Sequence, residues 1–131
     1  MGTFLLTLAI AVWSGCTSSP LHNVKDSTVP PAAMAKELKL DDVTRAIVQA
    51  GAGLGWDMRV AKPGQIVGTL RLRSHTAIVD IPYTTSSYSI IYNSSQNLNY
   101  DAEKNQIHRN YNGWVQNLDK AIRNRLTGMG A

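Results

Sequence analysis

The chain has 131 residues, 13 Lys+Arg against 9 Asp+Glu, and a formal net charge of +4. That length suits one domain and excludes a Rossmann domain, a TIM barrel or any multidomain enzyme. A single cysteine, Cys16, excludes an internal disulfide framework.

Residues 1–15 carry no charge, and 4–13 read FLLTLAIAVW, broken only by Thr7. The run is shorter than the roughly 17–25 residues of a spanning helix. Its length and the small residues Ser14 and Gly15 after it are those of an export signal. A lone thiol placed directly after such a segment points to chemistry specific to that position.

Val12-Trp13-Ser14-Gly15-Cys16 resembles the lipobox of bacterial lipoproteins. The resemblance implies that the Cys16 thiol receives a diacylglycerol, that residues 1–15 are removed, and that the new amino terminus is acylated as well. Two or more acyl chains give a stable anchor where one gives a marginal one. Thr17 stands where the family's inner-membrane retention signal has Asp, which implies the periplasmic face of the outer membrane. The chain departs from the family at Trp13, where Leu is preferred, and in lacking Lys or Arg at its start. A translation start at Met34 is the alternative and gives a cytoplasmic domain with no leader.

Residues 16–39 contain Thr17-Ser18-Ser19-Pro20 and Val29-Pro30-Pro31, with few large apolar groups. This composition predicts a flexible tether. Val43, Ala46, Ile47 and Ala50 then recur at helical spacing after Asp41 and Asp42, predicting a helix over 42–50 that ends at Gly51, Gly53 and Gly55. Trp56, Met58 and Val60 alternate with polar residues as a first strand. Lys62-Pro63-Gly64-Gln65 is a turn signal, and alternation predicts further strands over 66–73, 76–83 and 88–92.

Residues 93–99 read as a polar loop, with a very short extra strand near Ile107-His108. Asn110 is a plausible cap for a last helix, whose stripe is Tyr111, Trp114, Val115, Leu118, Ile122 and Leu126. Residues 128–131 read as a loose tail. The expected fold is a two-layer α+β domain over residues 40–127. Its antiparallel sheet of three to four strands is flanked in sequence by an N-terminal and a C-terminal helix, both packed on one face.

No motif assigns a chemistry. The glycines of 51–55 leave a helix and enter a strand, the reverse of a phosphate loop. His22, His75 and His108 share no short motif, so neither a metal nor another cofactor is expected. His75 and Asp80 are weak catalytic candidates, and a small envelope hydrolase using His75 is one alternative. Arg59, Lys62, Arg71, Arg73 and His75 form a candidate basic patch on the wet side of the sheet, suited to a cell-wall polymer or an envelope protein partner. Tyr83, Tyr88, Tyr92, Tyr111 and Trp114 read for the most part as core edge with hydroxyls reaching water, and some of them form a candidate groove between sheet and last helix for a sugar or peptide. No nucleic-acid motif is present.

Residues 51–114 also resemble small Gram-negative envelope lipoproteins to which no catalytic residues are assigned. The stretches concerned are Gly51-Ala52-Gly53 before Trp56, Arg73-Ser74-His75-Thr76-Ala77 leading into Asp80-Ile81-Pro82-Tyr83, Ser87-Tyr88-Ser89, and Ile107-His108 before Asn110-Tyr111-Asn112 and Trp114. The resulting expectation is a lipid-anchored envelope protein with a non-enzymatic binding or scaffolding domain. A structural protein pairing through a sheet edge is the other alternative.

Overall fold

The computed structural model describes residues 2, 17–34 and 36–129. Apart from Gly2, the expected leader lies outside the described residues, and so does Cys16. In chain order the elements are β1 (Ser18–Pro20), β2 (Val24–Thr28), α1 (Pro31–Met34), α2 (Leu40–Gly53), β3 (Asp57–Lys62), β4 (Gln65–Leu72), β5 (His75–Pro82), β6 (Ser87–Gln96), β7 (Gln106–His108) and α3 (Arg109–Met129). Five strands form one antiparallel sheet in the order β2-β6-β5-β4-β3, while β1 and β7 form a separate antiparallel pair.

This corrects the expected architecture. The class is α+β, but the main sheet has five strands rather than three or four, a second small sheet exists, and α1 lies between strand groups. The tether is corrected too: both β1 and β2 come from residues 16–39, so that segment belongs to the domain. Val29 and Ala33 are fully buried in the core, and Leu21 and Val24 pack against it. Side-chain amides do the rest. Asn112 on α3 donates from Nδ2 to Ser19 Oγ (2.9 Å) and to the Pro20 carbonyl (2.8 Å), and its Oδ1 accepts the His22 N–H. The Tyr92 N–H donates to Asn23 Oδ1 at 2.9 Å. Satisfied polar groups of this kind anchor a chain that apolar burial alone would leave loose.

The β3–β4–β5 meander follows its alternation closely. Ile66, Gly68 and Leu70 on β4 and Ala77, Val79 and Ile81 on β5 are buried, while the residues alternating with them are half-buried. Lys62 pairs with Gln65 across the predicted Pro63-Gly64 turn, and Gly64 takes the positive φ (85°) that glycine adopts at little cost. β6 runs to Gln96, four residues beyond the expected strand end at Tyr92. A register shift between Ile78 and Val79 leaves Asn93 unopposed on β6, and Ser94, Ser95 and Gln96 then resume pairing with β5. The polar run reads as loop because the bulge breaks its period.

Both long helices cover the same side of the sheet. Tyr83, which continues the buried row of β5, hydrogen-bonds through its hydroxyl to Thr44 on α2. Tyr88 on β6 donates to Asp119 on α3. Between helices and sheet lies one continuous core that includes Val43, Ile47, Ile66, Val79, Ile90, Tyr111, Leu118 and Ile122. Burying side chains of this size contributes about 1.5–3 kcal/mol each before entropy is counted.

Helix ends are set locally. The Lys39 N–H donates to Asp42 Oδ2 (2.9 Å) at the start of α2. At α3 the cap is His108, whose Nδ1 accepts the Asn110 N–H at 3.2 Å, in place of the expected Asn110. α3 continues to Met129, which places Gly128 and Met129 in the helix and not in a tail.

Candidate functional site

The sheet has one covered face and one open face, and the site follows from which residues lie on the open one. Pairing sets the rows. Arg59 on β3, Val67 on β4, Asp80 on β5 and Ile91 on β6 are successive partners. The next row is Asp57, Thr69, Ile78 and Ser94, and the third is Arg71, Thr76 and Gln96. Directly opposite residues share a face, so these rows form the side away from α2 and α3.

A shallow hollow of about 460 Å³ is lined there by Asp57, Met58, Arg59, Val67, Thr69, Arg71 and Ile78. Val67 and Ile78 give an apolar floor, and Arg59 and Arg71 stand on either side of it. The ion pairs among the described residues are Arg45–Asp42 and Arg123–Asp119. Arg59 and Arg71 are therefore exposed guanidiniums without a carboxylate partner, and their forked donors suit a bidentate anion.

A second hollow of about 470 Å³ lies between residues 36–39 and the end of α3. Its charges oppose one another, Lys36 and Lys39 against Glu37 and Asp42. The Asp42 carboxyl is already engaged: the Lys39 N–H, assisted by Arg45, holds it below the usual aspartate range. The hollow on the open face carries two guanidiniums, Arg59 and Arg71, against one carboxylate, Asp57, and Asp80 lies beside it on the same face.

The structure divides the predicted basic patch. Arg59 and Arg71 share the open face as expected. Lys62 lies past a bulge, opposite Gln65 at the far end of the hairpin. Arg73 is in the two-residue turn between β4 and β5 at φ 56°, exposed but off the face. His75 is on the other side, because it shares the parity of Ala77, Val79 and Ile81. Its Nδ1 donates to the Asn97 carbonyl at 2.8 Å, and its ring centroid lies 6.3 Å from that of His108 and 6.2 Å from that of Trp114.

That placement also separates the catalytic candidates. Asp80 lies on the open face, accepting from Asn93 Nδ2 at 3.0 and 3.3 Å, so the sheet stands between it and His75. No group of three or more His, Cys, Asp or Glu side chains converges at metal-binding distance among the described residues.

The aromatic groove is corrected as well. Tyr83, Tyr88 and Tyr111 are core residues, and Tyr111 is fully buried. Burial, and then the hydrogen bond to Asp119, pushes the Tyr88 phenol up to about 12. Burial likewise raises Tyr111, whose hydroxyl has no hydrogen-bond partner among the described residues. Tyr92 packs on Tyr100 (4.3 Å between centroids) and edge-on to Tyr111 (5.5 Å), while Trp114 sits apart beside His75. Of the tyrosines predicted to line a cleft, Tyr88, Tyr92 and Tyr111 instead pack between β6 and α3, and Tyr83 reaches Thr44 on α2.

Sequence reasoning missed Asp57, Val67, Thr69 and Ile78 as parts of the site. Part of the signal was available: even spacing within a strand puts Asp57 on the face of Arg59, and Val67 and Thr69 on that of Arg71, whereas Ile78 joins them only through its pairing with Thr69. No protein-family model matches this chain, nor does any curated protein or solved structure.

Proposed function

We propose that this chain is a lipid-anchored cell-envelope protein, fastened at Cys16, whose domain binds an anionic cell-wall polymer without acting as an enzyme. The observation that carries the binding half is the pair of unpartnered arginines, Arg59 and Arg71, across the apolar floor of the open face. A repeating carboxylate-bearing polymer could engage both guanidiniums while its backbone lies over Val67 and Ile78. A shallow, solvent-open hollow of this kind suits a polymer strand better than a small substrate that must be sequestered from water.

The anchor rests on the lipobox resemblance, and the fold changes what it means. Thr17 follows Cys16 directly, and its carbonyl accepts the Arg109 N–H at 2.8 Å at the start of α3. A lipid on Cys16 would therefore hold the β1–β7 end of the domain against the bilayer, with no spacer of two dozen residues between them. Among the described residues no helix is long and apolar enough to cross a membrane.

Two measurements test the halves separately. Intact mass of the membrane-extracted chain should show a form beginning at Cys16 with acyl chains added; an unmodified Cys16 would overturn the anchor. Co-sedimentation with purified peptidoglycan sacculi tests the binding half. Arg71→Glu should weaken it about tenfold or more, and added salt should weaken the wild type, because exposed charges are screened. Equal binding by the variant would overturn the assignment of the face.

A further inference from the structure

We infer that the outer edge of β3 is a self-association surface, through which two copies of this chain join their sheets. β3 is a terminal strand of the five-stranded sheet, and among the described residues nothing pairs with its outer side. Such an edge presents unpaired N–H and C=O groups to solvent.

Strand pairing settles which groups those are. The Tyr83 N–H donates to the Gly64 carbonyl, continuing a β4–β5 ladder in which Ile66 faces Ile81 and Gly68 faces Val79. Antiparallel alternation then turns the backbone groups of Val67 and Thr69 toward β3, where they meet Arg59 and Asp57. Those of Met58, between them, point to the outer edge.

Charge selects the register. A two-fold pairing centred on Met58 sets its backbone against the same residue of the second copy. Asp57 of each copy then stands opposite Arg59 of the other, on the open face, in the closer, non-hydrogen-bonded type of pair. Centring the pair on Arg59 would set arginine against arginine, and centring it on Asp57 would oppose two carboxylates. Neither Asp57 nor Arg59 has an ion-pair partner within its own chain among the described residues. The Met58 register also draws Val60, 46% exposed, into the contact and removes its apolar surface from water, while Trp56 opposite it is buried in its own core and its N–H already donates to the Gly51 carbonyl.

The assembly closes at two. The bulge between Val60 and Lys62 ends the ladder on one side. At the sheet's other edge, β2 is interrupted by a register shift between Val24 and Ser27 and by Asp26 at φ 49°, so it cannot extend the sheet further. The contact would engage Arg59, so in the dimer the anionic polymer proposed above would meet the two copies of Arg71, which take no part in the contact, on one continuous face.

Sedimentation of the full chain in nonionic detergent across a concentration series tests this. The wild type should form a reversible dimer. Arg59→Asp and Asp57→Arg each place like charges opposite one another twice by symmetry and should each raise the dimer Kd about tenfold. The double variant Asp57→Arg/Arg59→Asp should return it to near the wild-type value, which also shows that the single variants did not fail by misfolding. A wild-type chain that stays monomeric overturns the inference and leaves the edge to a strand of some different protein. Dimerisation untouched by the single variants, or not restored by the double one, overturns the register.

Discussion

The two faces of the five-stranded sheet are built from the same strands by the same alternation, yet they have opposite tolerances. On the covered face, Ile66, Val79, Ile81 and Ile90 are fully buried against α2 and α3. On the open face, Arg59, Thr69, Asp80 and Ser94 stand over solvent, and only Val67, Ile78 and Ile91 interrupt the polar pattern. Burial makes every atom on the first face answerable to its neighbours. Exposure leaves the second free to carry charge without structural duty. A function that changes while stability does not should therefore map to the open face.

The largest effect should come from the covered side. Leu118 is fully buried on α3, and Leu118→Ala should destabilise the domain by about 2–5 kcal/mol. A chemical-denaturation midpoint checks it, and a loss under about 1 kcal/mol would mean the helix is not seated as described. Next comes the amide that ties the N-terminal segment down. Asn112→Ala removes its hydrogen bonds to Ser19, Pro20 and His22 and should cost about 1–3 kcal/mol. Hydrogen exchange should speed up over residues 18–22 well before it does in β4 and β5.

Alkaline pH gives a third, graded test of the covered face. A free phenol ionises near 10.0, whereas Tyr88 holds its proton to about 12 because it is buried and bonded to Asp119. Between those values the folded state keeps a proton the unfolded state has lost, so stability should fall as pH rises from 10 toward 12. Tyr111, also raised by burial, acts in the same direction. Phenolate absorbance followed alongside the denaturation midpoint checks this. Tyr88→Phe should flatten the pH dependence without abolishing it.

The smallest expected effect on stability sharpens the comparison most. Arg71→Ala should move the denaturation midpoint by no more than about 0.5 kcal/mol, since the side chain is exposed and forms no ion pair among the described residues. A larger loss would mean that the open face has a structural role after all.

Legibility in the sequence followed the same division. The β3–β4–β5 meander and α3 could be read because their apolar residues recur at clean periods of two and of three to four. Segments held by polar groups could not. β1 and β2 depend on Asn112 and Asn23, whose amides reach across the chain, and composition alone gives no sign of which Asn does so. The end of β6 was hidden by the Asn93 bulge, which shifts the period partway along the strand. At the site, Arg59 and Arg71 were legible together because parity places them so. His75 shares the parity of Ala77, and its grouping with those arginines failed for that reason. The tyrosines were counted correctly but misplaced, since aromatic residues on alternating and helical positions describe a core as well as a cleft.

Amide chemical-shift mapping with soluble fragments of cell-wall polymer tests the central claim most directly. Shifts confined to Asp57, Arg59, Val67, Thr69, Arg71 and Ile78, and lost in Arg71→Glu, are the predicted result. Unchanged spectra, or shifts centred instead on His75, His108 and Trp114, would contradict it.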